Sequence, residues 1–218
     1  MTAQAGSASS SSHERQRLRR ELRQRRRSLS PSQRAKAHRQ FARLLSSSHW
    51  ASRLLRAGQR IAVYFAYGHE ADLAHVIELA RQRRCTLYLP GITDFRRSRM
   101  RFVRYEVDSA MRVNRYGIAE PDRRHATTGR AEVIPPRHLD VVLLPLVGFD
   151  AHGSRLGSGA GFYDRSLHHL REGRRWRKPK LIGVGYECQR VPRLQPDRWD
   201  VPLDGILTER GLTRVRRL

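Results

Sequence analysis

The stretch 148–165, GFDAHGSRLGSGAGFYDR, holds the residue types of this chain that are best suited to chemistry. Gly157, Gly159 and Gly161 let the backbone take positive φ and expose its N–H groups, because glycine has no side chain. Successive N–H groups in such a turn bind anions, and the start of a helix adds partial positive charge. Arg155 places a guanidinium beside them. The pattern predicts a phosphate site, although glycine spacing alone is also compatible with a tight turn that binds nothing.

Asp164 follows the glycines and raises a question of charge. A carboxylate disfavours bound phosphate unless a cation lies between them, and Mg²⁺ commonly bridges carboxylates and phosphate oxygens. The alternative for Asp164 is a simple carboxylate at a helix N-terminus. The loop lacks the Gly-Lys-Ser/Thr of a P-loop, and its glycines are spaced by two, unlike those of the dinucleotide motif. The residues therefore indicate Mg²⁺-bound phosphate without naming the molecule that carries it.

The elements that must position this loop alternate between strands and helices. Apolar runs predict strands at 60–66, 86–89, 101–105, 138–147, 181–186 and 205–208, and helical patterns predict helices at 14–28, 31–45, 69–84 and 163–170. Ser30 and Pro31 are expected at the N-cap and first position of the second helix. Pro90 and Gly91 are expected to end the second strand. Residues 114–136 are interpreted as a long connection, and 205–208 as an edge strand.

This alternation predicts one α/β domain over residues 13–218, preceded by a disordered tail over residues 1–12. The expected architecture is a mostly parallel sheet flanked by helices, in a three-layer, Rossmann-like arrangement with N-terminal helices. Ligands bind off the carboxyl ends of the strands in such sheets. The glycine-rich stretch leaves the apolar run 138–147 at that edge, so the predicted fold places it where a ligand would bind.

The chain of 218 residues has a formal net charge of +24, and most of its basic residues are arginines. Such a charge indicates an anionic partner, either nucleic acid or a phosphorylated or carboxylated small molecule. The arginines are scattered along the chain, however, and this distribution is also compatible with codon bias. Nucleic-acid binding therefore stays open as a second function, although residues 15–27 contain no aromatic to stack on bases.

The expected compartment is the cytoplasm. No apolar run is long enough for a bilayer, and residues 1–12 lack the apolar core of a secretory signal. The two cysteines, Cys85 and Cys188, form neither a disulfide framework nor a zinc motif. The Ser-rich start and the Arg-rich stretch that follows leave a mitochondrial presequence as an alternative, against which Glu14 and Glu21 count.

Several motifs of the chain share one resemblance. Phe149-Asp150 is followed by a Gly-x-Arg-Leu-Gly-x-Gly-x-Gly-aromatic-Tyr-Asp pattern over 153–164. NRYGIAEP at 114–121, GVGYECQ at 183–189 and WDVPLDGILTE at 199–209 occur around it. Together these motifs resemble those of the 5-formyltetrahydrofolate cyclo-ligases, also called 5,10-methenyltetrahydrofolate synthetases. The resemblance extends from about residue 14 to residue 209.

The resemblance implies an ATP- and Mg²⁺-dependent ligase that converts 5-formyltetrahydrofolate into 5,10-methenyltetrahydrofolate and releases ADP and phosphate. In that family the formyl oxygen is phosphorylated, N10 attacks the activated carbon, and phosphate leaves as the ring closes. This chemistry needs alignment, a cation and positive charge more than a protein nucleophile. An ATP-dependent relative that acts on another folate or acyl substrate is a further alternative.

The resemblance also implies site residues. Arg15, which replaces the usual Lys, and Arg19 are expected to hold ATP, together with Arg155, Leu156, Gly157, Ser158, Gly159, Ala160, Gly161, Phe162 and Tyr163. Folate is expected to contact Phe65, Glu70 and Tyr163, and Mg²⁺ is expected at Asp164 and Asp200, with Asp204 as a competitor. Arg155 and Tyr163 are the expected catalytic residues. The chain differs from most of its apparent relatives at Ser158 and Ala160. A monomer is expected, with 5-formyltetrahydrofolate as its substrate in either the monoglutamylated or the polyglutamylated form.

Overall fold

The computed structural model describes residues 3–47, 49–94, 96–115, 117–122, 131–171 and 178–215, with side chains from residue 13 onwards. Over these residues the strands are β1 (Arg60–Ala62), β2 (Thr86–Asp94), β3 (Arg99–Tyr105), β4 (Met111–Val113), β5 (Ala119–Pro121), β6 (Val133–Ile134), β7 (Val141–Pro145), β8 (Gly148–Phe149), β9 (Arg155–Leu156), β10 (Lys180–Val184), β11 (Gly205–Thr208) and β12 (Gly211–Arg214). The α-helices are α1 (Ala3–Arg27), α2 (Pro31–Ser46), α3 (His49–Ser52), α4 (Ala74–Gln82) and α5 (Phe162–Leu167). Short 3-10 helices lie at Pro136–His138, His168–Leu170 and Glu187–Gln189.

Eight strands form one sheet in the order β12-β11-β10-β7-β1-β2-β3-β6. The five central strands, from β11 to β2, are parallel, and β12, β3 and β6 pair antiparallel at the two sides. The unit β1-α4-β2 is the predicted βαβ crossover. This sheet and its helices confirm the predicted α/β class with a mostly parallel sheet.

Alternate residues of the central strands enter two different apolar clusters, as expected when both faces of a sheet are covered. On one face Ile61 and Val141 pack with Phe41 of α2 and Val76 of α4. On the other face Ala62, Val142 and Leu144 pack with Leu167 of α5. Helices therefore lie on both sides of the sheet, in the predicted three layers.

Helix α1 lies across the carboxyl edge of the sheet, because its apolar seam packs there. Leu22 is fully buried with Val147 and Leu156, and the partly buried Leu18 packs against the same cluster. Helix α2 begins at the predicted place. The Oγ of Ser30 accepts the N–H of Gln33 at 3.2 Å, and the Gln33 side chain accepts the N–H of Ser30 at 2.8 Å. This is a capping box with Pro31 at N1.

Several predicted boundaries differ from the structure. Strand β2 continues past Pro90, because β1 pairs with β2 only as far as Tyr88 and the missing proline N–H faces no partner strand there. Strand β11 is not the edge strand, since β12 pairs beside it. The predicted long connection contains β5 and β6, and its residues 123–130 lie outside the described residues.

The helix α1 begins at Ala3, whereas a disordered tail was expected over residues 1–12. Residues 1 and 2 lie outside the described residues. Once the packed part of a helix has formed, each residue added to it contributes one further hydrogen bond, so the helix can extend even into this serine-rich stretch. No helix in the described part of the chain combines the length and the apolar character needed to span a membrane.

Candidate functional site at the carboxyl edge of the sheet

A hairpin made of β8 and β9 carries the chain from the end of β7 into the glycine loop. The side chain of Asp150 is fully buried and braces the hairpin. It accepts backbone N–H groups from His152, Ser154 and Leu194, each at 2.9 Å. Three N–H donors satisfy a buried carboxylate well. The base of the loop is therefore held to the 190–195 segment by a structural aspartate.

The glycines of the loop have different backbone requirements. Gly159 has φ of 110° and Gly161 has φ of 69°, as predicted for an exposed N–H turn. Gly157 does not have positive φ, so the expectation of positive φ at all three glycines is wrong at this position. A Cβ at Gly157 would meet no atom within 4 Å. Neither backbone strain nor packing demands glycine there, and its side-chain position faces open space.

The carbonyl groups of the loop face arginines. The carbonyl oxygen of Gly157 accepts from Arg19 at 3.0 Å, that of Ser158 from Arg23 at 3.2 Å, and that of Ala160 from Arg165 at 2.7 Å. In a trans peptide the next N–H points away from the carbonyl. The N–H groups of residues 158, 159 and 161 therefore point away from these arginines, and no acceptor for them occurs among the residues that the structure describes. Such unpaired amides are the donors that an anion nest requires.

Arg155 and Asp164 form an ion pair at the end of the loop. The guanidinium of Arg155 donates to one carboxylate oxygen of Asp164 and to the backbone carbonyl of Val201. The same oxygen of Asp164 accepts the N–H of Val201 at 3.2 Å. The Arg155 side chain is 4% exposed. Arg155 thus contacts Asp164 and Val201, and it holds the predicted metal ligand beside the segment that follows Asp200.

Arg15 pairs with two carboxylates of that segment. It donates to Asp197 and, at 3.2 Å, to Asp200. Asp204 lies elsewhere, because its carboxylate accepts the N–H of Leu181 at 2.9 Å and pairs with Lys180 at the start of β10. The structure brings Asp200, and not Asp204, into the neighbourhood of Asp164.

These carboxylates fit the way in which proteins bind Mg²⁺. Mg²⁺ prefers oxygen ligands and usually takes one or two carboxylates plus substrate phosphates and waters. The described residues contain no cluster of three or more His, Cys, Asp or Glu side chains that could hold a metal alone. Asp164 accepts the N–H of Val201, the residue that follows Asp200, and Asp164 itself follows the last glycine of the loop by three residues. In this structure Arg15 and Arg155 supply the positive charge that these carboxylates need.

Positive charge accumulates where α1 crosses the loop. Burial lowers the pKa of Arg19, and the neighbouring Arg15 and Arg23 lower it further. Asp197 and Asp200 oppose this shift. Three guanidinium groups packed this closely repel one another, and an anion placed between them relieves that repulsion. The electrostatics of the loop therefore favour a negatively charged ligand.

Glu70, in the turn after β1, and Tyr163, at the start of α5, are near enough to interact electrostatically. Burial raises the pKa of Glu70, whereas the N–H of Tyr67 and the charges of Arg26 and Arg23 lower it. Burial and the charge of Glu70 raise the pKa of Tyr163 well above its usual range, and Arg155 opposes them. Tyr163 is therefore a neutral phenol near neutral pH, which is able to donate a hydrogen bond.

Phe65 lies among aromatic and apolar side chains. Its ring meets that of Tyr105 edge to face, with centroids 5.3 Å apart, and it packs against the core on the α4 side of the sheet. The structure therefore gives Phe65 a packing partner of its own, separate from Glu70 and Tyr163.

The other residues predicted to contact ATP differ in how exposed their side chains are. Leu156 is 1% exposed and packs against Leu22, so its side chain serves the core. Phe162 is partly buried against the second apolar cluster. Ser158 and Ala160 are exposed at the tip of the loop. The backbone of this loop is thus better placed than its side chains for binding an anion.

Sequence reasoning missed Arg23 and Arg26 on α1, and Asp197. Arg15, Arg19, Arg23 and Arg26 follow one another at intervals of four, four and three residues, which places them on one helix face. Extending the i, i+4 argument beyond Arg19 could have found Arg23 and Arg26. Asp197 carried no sequence signal, because its contact with Arg15 joins residues 182 positions apart.

The fold and the site define an α/β protein with a glycine-rich, amide-exposing loop at the carboxyl edge of a parallel sheet, crossed by an arginine-rich helix. The model of the 5-formyltetrahydrofolate cyclo-ligase family matches residues 11–209. The chain belongs to this family.

Individual relatives agree. The chain is 37% identical over 154 residues to a 5-formyltetrahydrofolate cyclo-ligase of Haemophilus influenzae, covering 70% of this chain and 76% of the relative. It is 34% identical over 192 residues to that of Escherichia coli, covering 86% and 96%. The NMR structure of the Aquifex aeolicus 5,10-methenyltetrahydrofolate synthetase superposes with a TM-score of 0.74 at 27% identity and covers 94% of both chains. These matches confirm the resemblance that the motifs indicated.

Proposed function

We propose that this protein catalyses the conversion of 5-formyltetrahydrofolate and ATP into 5,10-methenyltetrahydrofolate, ADP and phosphate, with Mg²⁺. Family membership over residues 11–209 supports the reaction class. The observation that carries the proposal is the set of amides at residues 158, 159 and 161, which find no acceptor in the described part of the chain, together with Asp164 and Asp200. Amides, arginines and carboxylates in this order suit a nucleotide phosphate with its cation.

ATP is the co-substrate that supplies the phosphoryl group. The formyl oxygen of the folate forms a bond to phosphorus as the bond to ADP breaks. N10 then attacks the formyl carbon, the carbon–oxygen bond to phosphate breaks, and N10 gives up its proton as the ring closes. The folate provides both nucleophiles itself, so the protein must align the reactants and stabilise charge.

The glycine loop and α1 form the ATP half of the proposed site. The amides of residues 158, 159 and 161 bind phosphate oxygens, and Arg15 and Arg19 contribute positive charge beside them. Arg19 also holds the loop through the carbonyl of Gly157. Arg155 keeps Asp164 in place through their buried ion pair. The open space at Gly157 leaves room for the ligand against the backbone.

Glu70 and Tyr163 form the folate half. A carboxylate can accept hydrogen bonds from the amino and ring N–H groups of the pterin. Tyr163 closes this half from the loop side as a neutral phenol, because burial keeps its pKa high. It is suited to donate a hydrogen bond to developing negative charge, and not to remove a proton. Phe65, which packs edge to face on Tyr105 and apart from these two residues, is assigned to folate by the family resemblance alone.

Asp164 and Asp200 are the residues that would hold Mg²⁺. When bound, the ion neutralises charge on the transferring phosphoryl group. Arg15, now paired with Asp197 and Asp200, lies where it can share that task. The two cysteines are free thiols, which suits the cytoplasmic location that is part of this proposal.

The test supplies purified protein with 5-formyltetrahydrofolate, ATP and Mg²⁺ and follows the absorbance of methenyltetrahydrofolate. Product formation that requires all three components is expected. Folded protein that binds ATP but makes no product would reject the cyclo-ligase and favour an ATP-dependent relative with another acceptor. Omitting ATP and omitting Mg²⁺ are the two controls, because either omission should abolish the signal.

The net charge of +24 favours non-specific nucleic-acid binding as a second property. The salt dependence distinguishes RNA binding from the enzymatic reaction. Binding of a labelled RNA should weaken by orders of magnitude between about 50 and 200 mM salt, because counterion release drives it. Turnover of ATP should change far less over that range. If the protein binds no RNA at low salt, this second property is ruled out.

A further inference from the structure

The arginines of α1 fall into two sets. The half-buried set, Arg15, Arg19, Arg23 and Arg26, contacts the loops at the carboxyl edge of the sheet. The exposed set contains Arg17, Arg20, Arg25 and Arg27. Four contacts on one face span about 16 Å of helix, given a rise of about 1.5 Å per residue. The face therefore extends from the ATP half of the proposed site to its folate half.

Arg26 stands at the folate end of this face. Its terminal nitrogen donates to the carbonyl of Leu146, the residue after β7, at 3.4 Å. Its Nε is buried and has no hydrogen-bond partner among the described residues. Leaving a buried guanidinium donor unpaired is costly. A charged group with a weak contact and an unpaired donor indicates a role beyond holding α1 in place.

Glu70 is the acidic group that the topology brings to the same place. It lies in the turn after β1, and β1 is the parallel neighbour of β7, with Ala62 opposite Val142. The carboxylate of Glu70 accepts the N–H of Tyr67 at 3.1 Å, and this is its one hydrogen bond in the part of the chain that the structure describes. Its remaining acceptor positions can serve a ligand.

We propose that Arg26 is a positioning residue for folate recognition, which acts through Glu70 by holding a positive charge near the carboxylate that would face the pterin. This inference rests on the proposed function and adds to it a residue of α1 that is specific to the folate half. Arg15 and Arg19 serve the phosphates, whereas Arg26 serves the acceptor substrate. The same helix thereby aligns the two reactants.

The charges around Glu70 agree with this role. Burial raises the pKa of Glu70, and Arg26 and then Arg23 lower it. In return, burial lowers the pKa of Arg26 and Glu70 raises it. Each ion therefore offsets part of the desolvation of the other. Among the residues that the structure describes, the charged and titratable groups near Glu70 are Arg23 and Arg26 of α1, Tyr64 after β1, Tyr163 of α5 and Tyr186 after β10.

The test compares Arg26→Gln and Arg26→Lys with Arg20→Gln, an exposed control on the same helix. Equilibrium binding of 5-formyltetrahydrofolate, measured without ATP, should weaken about 10-fold in Arg26→Gln. The KM for folate should rise by a similar factor, while the KM for ATP stays within about twofold. Arg26→Lys keeps the charge and should recover part of the loss. Arg20→Gln should match the parent in all three measurements.

A pH profile separates this role from a structural one. Without Arg26 the pKa of Glu70 rises, so a higher pH is needed to ionise it. The acid limb of kcat/KM for folate should therefore move to higher pH in Arg26→Gln, and less so in Arg26→Lys. A variant that merely packed poorly would lower the whole profile without moving this limb.

Three outcomes would overturn the inference. In the first, a folded Arg26→Gln variant binds folate as tightly as the parent, and the parent still catalyses the reaction. This result would reject the role of Arg26 and leave the proposed function intact. A higher KM for ATP with unchanged folate binding would assign Arg26 to the phosphates. A parent that binds no folate would reject the proposed function, and this inference with it. If Arg26→Gln does not fold, the same two measurements, folate affinity and the acid limb of kcat/KM, are made on Arg26→Lys.

Discussion

Val201 donates its backbone N–H to the carboxylate of Asp164 at 3.2 Å, which ties the first turn of α5 to the segment that carries Asp200. Arg155 strengthens this link, because its guanidinium contacts both the Asp164 carboxylate and the Val201 carbonyl. The buried guanidinium of Arg155 thus links the glycine loop to the 197–201 segment. The roles of Asp164 and Arg155 can therefore be separated by substitution at either end.

Asp164→Asn should lower turnover on the order of 100-fold and raise the Mg²⁺ concentration needed for half-maximal rate. Asparagine can still accept the Val201 N–H, but it offers the cation no negative charge. Turnover across a Mg²⁺ titration measures the effect, with thermal unfolding as a check on folding.

The matched control is Asp204→Asn, which makes the same chemical change at the carboxylate just before β11. Asp204 accepts the N–H of Leu181 at 2.9 Å, so its substitution should affect stability and not Mg²⁺ dependence. A Mg²⁺ requirement that moves in Asp204→Asn but not in Asp164→Asn would show that the wrong carboxylate has been assigned.

Arg155→Ala should lower the free energy of unfolding by about 3 kcal/mol, because it leaves the Asp164 carboxylate without its buried partner. It should also raise the KM for ATP about 10-fold, since the loop loses a fixed cation. Denaturant unfolding and initial rates measure the two effects. In a double-mutant cycle with Asp164→Asn, the stability losses should be less than additive, because either substitution already breaks the pair. Additive losses would contradict an energetic coupling between the two side chains.

His38→Gln should flatten the pH dependence of stability. His38 Nε2 and the Tyr186 hydroxyl are joined by a hydrogen bond at 2.7 Å, beneath the backbone carbonyl of Glu70. Burial is the main cause that lowers the pKa of His38, so the folded state binds its proton less readily than the unfolded state. The contribution of His38 is therefore complete above its unfolded pKa, about 6.5, and is lost as pH falls toward the lowered folded value.

Denaturant unfolding of the parent and of His38→Gln at several values between about pH 5 and pH 7.5 measures this contribution. The stability difference between parent and variant should shrink as the pH is lowered. A control, His49→Gln, changes an exposed histidine at the start of α3, and it corrects for any general effect of losing a histidine. A difference that grows on acidification would mean that His38 gains a proton on folding.

The features that sequence predicted well depend on local patterns. The Ser30 cap, the βαβ unit and the strand before the glycine loop are all encoded within a few consecutive residues. Gly159 and Gly161 likewise have the positive φ that their spacing predicted. Motif resemblance then supplied the reaction, because the motifs occur in the family's order along most of the chain.

The features that sequence did not predict depend on contacts between distant residues. Arg15 meets Asp200 across 185 positions, and Arg26 meets Leu146 across 120. No periodicity in either segment specifies its partner. The pairing of Arg155 with Asp164 was also missed, although they are nine positions apart, because both were assigned to a ligand. The edge strand β12 was missed because its pairing with β11, and not an apolar run, defines it.

Gly157→Ala provides the sharpest test of the phosphate site. A Cβ at this position meets nothing within 4 Å, and its φ is not in the left-handed region, so the fold should tolerate alanine. Stability should stay equal or rise by about 0.5 kcal/mol, because alanine restricts the unfolded chain. If phosphate lies against the loop backbone, however, the new methyl group occupies its space. The KM for ATP should then rise about 10-fold or more, since misplacement by about 1 Å is costly to aligned reactants.

Gly211→Ala is the matched control for this substitution. Gly211, the first residue of β12, also has open space at its Cβ position and no positive φ. It should therefore change neither stability nor the KM for ATP beyond the small effect on the unfolded chain. Gly161→Ala should behave differently from both, since its φ of 69° strains alanine and lowers stability by about 1 kcal/mol. Normal ATP kinetics in a folded Gly157→Ala would place the phosphates away from the loop backbone, and the role of the alternating glycines would then be conformational alone.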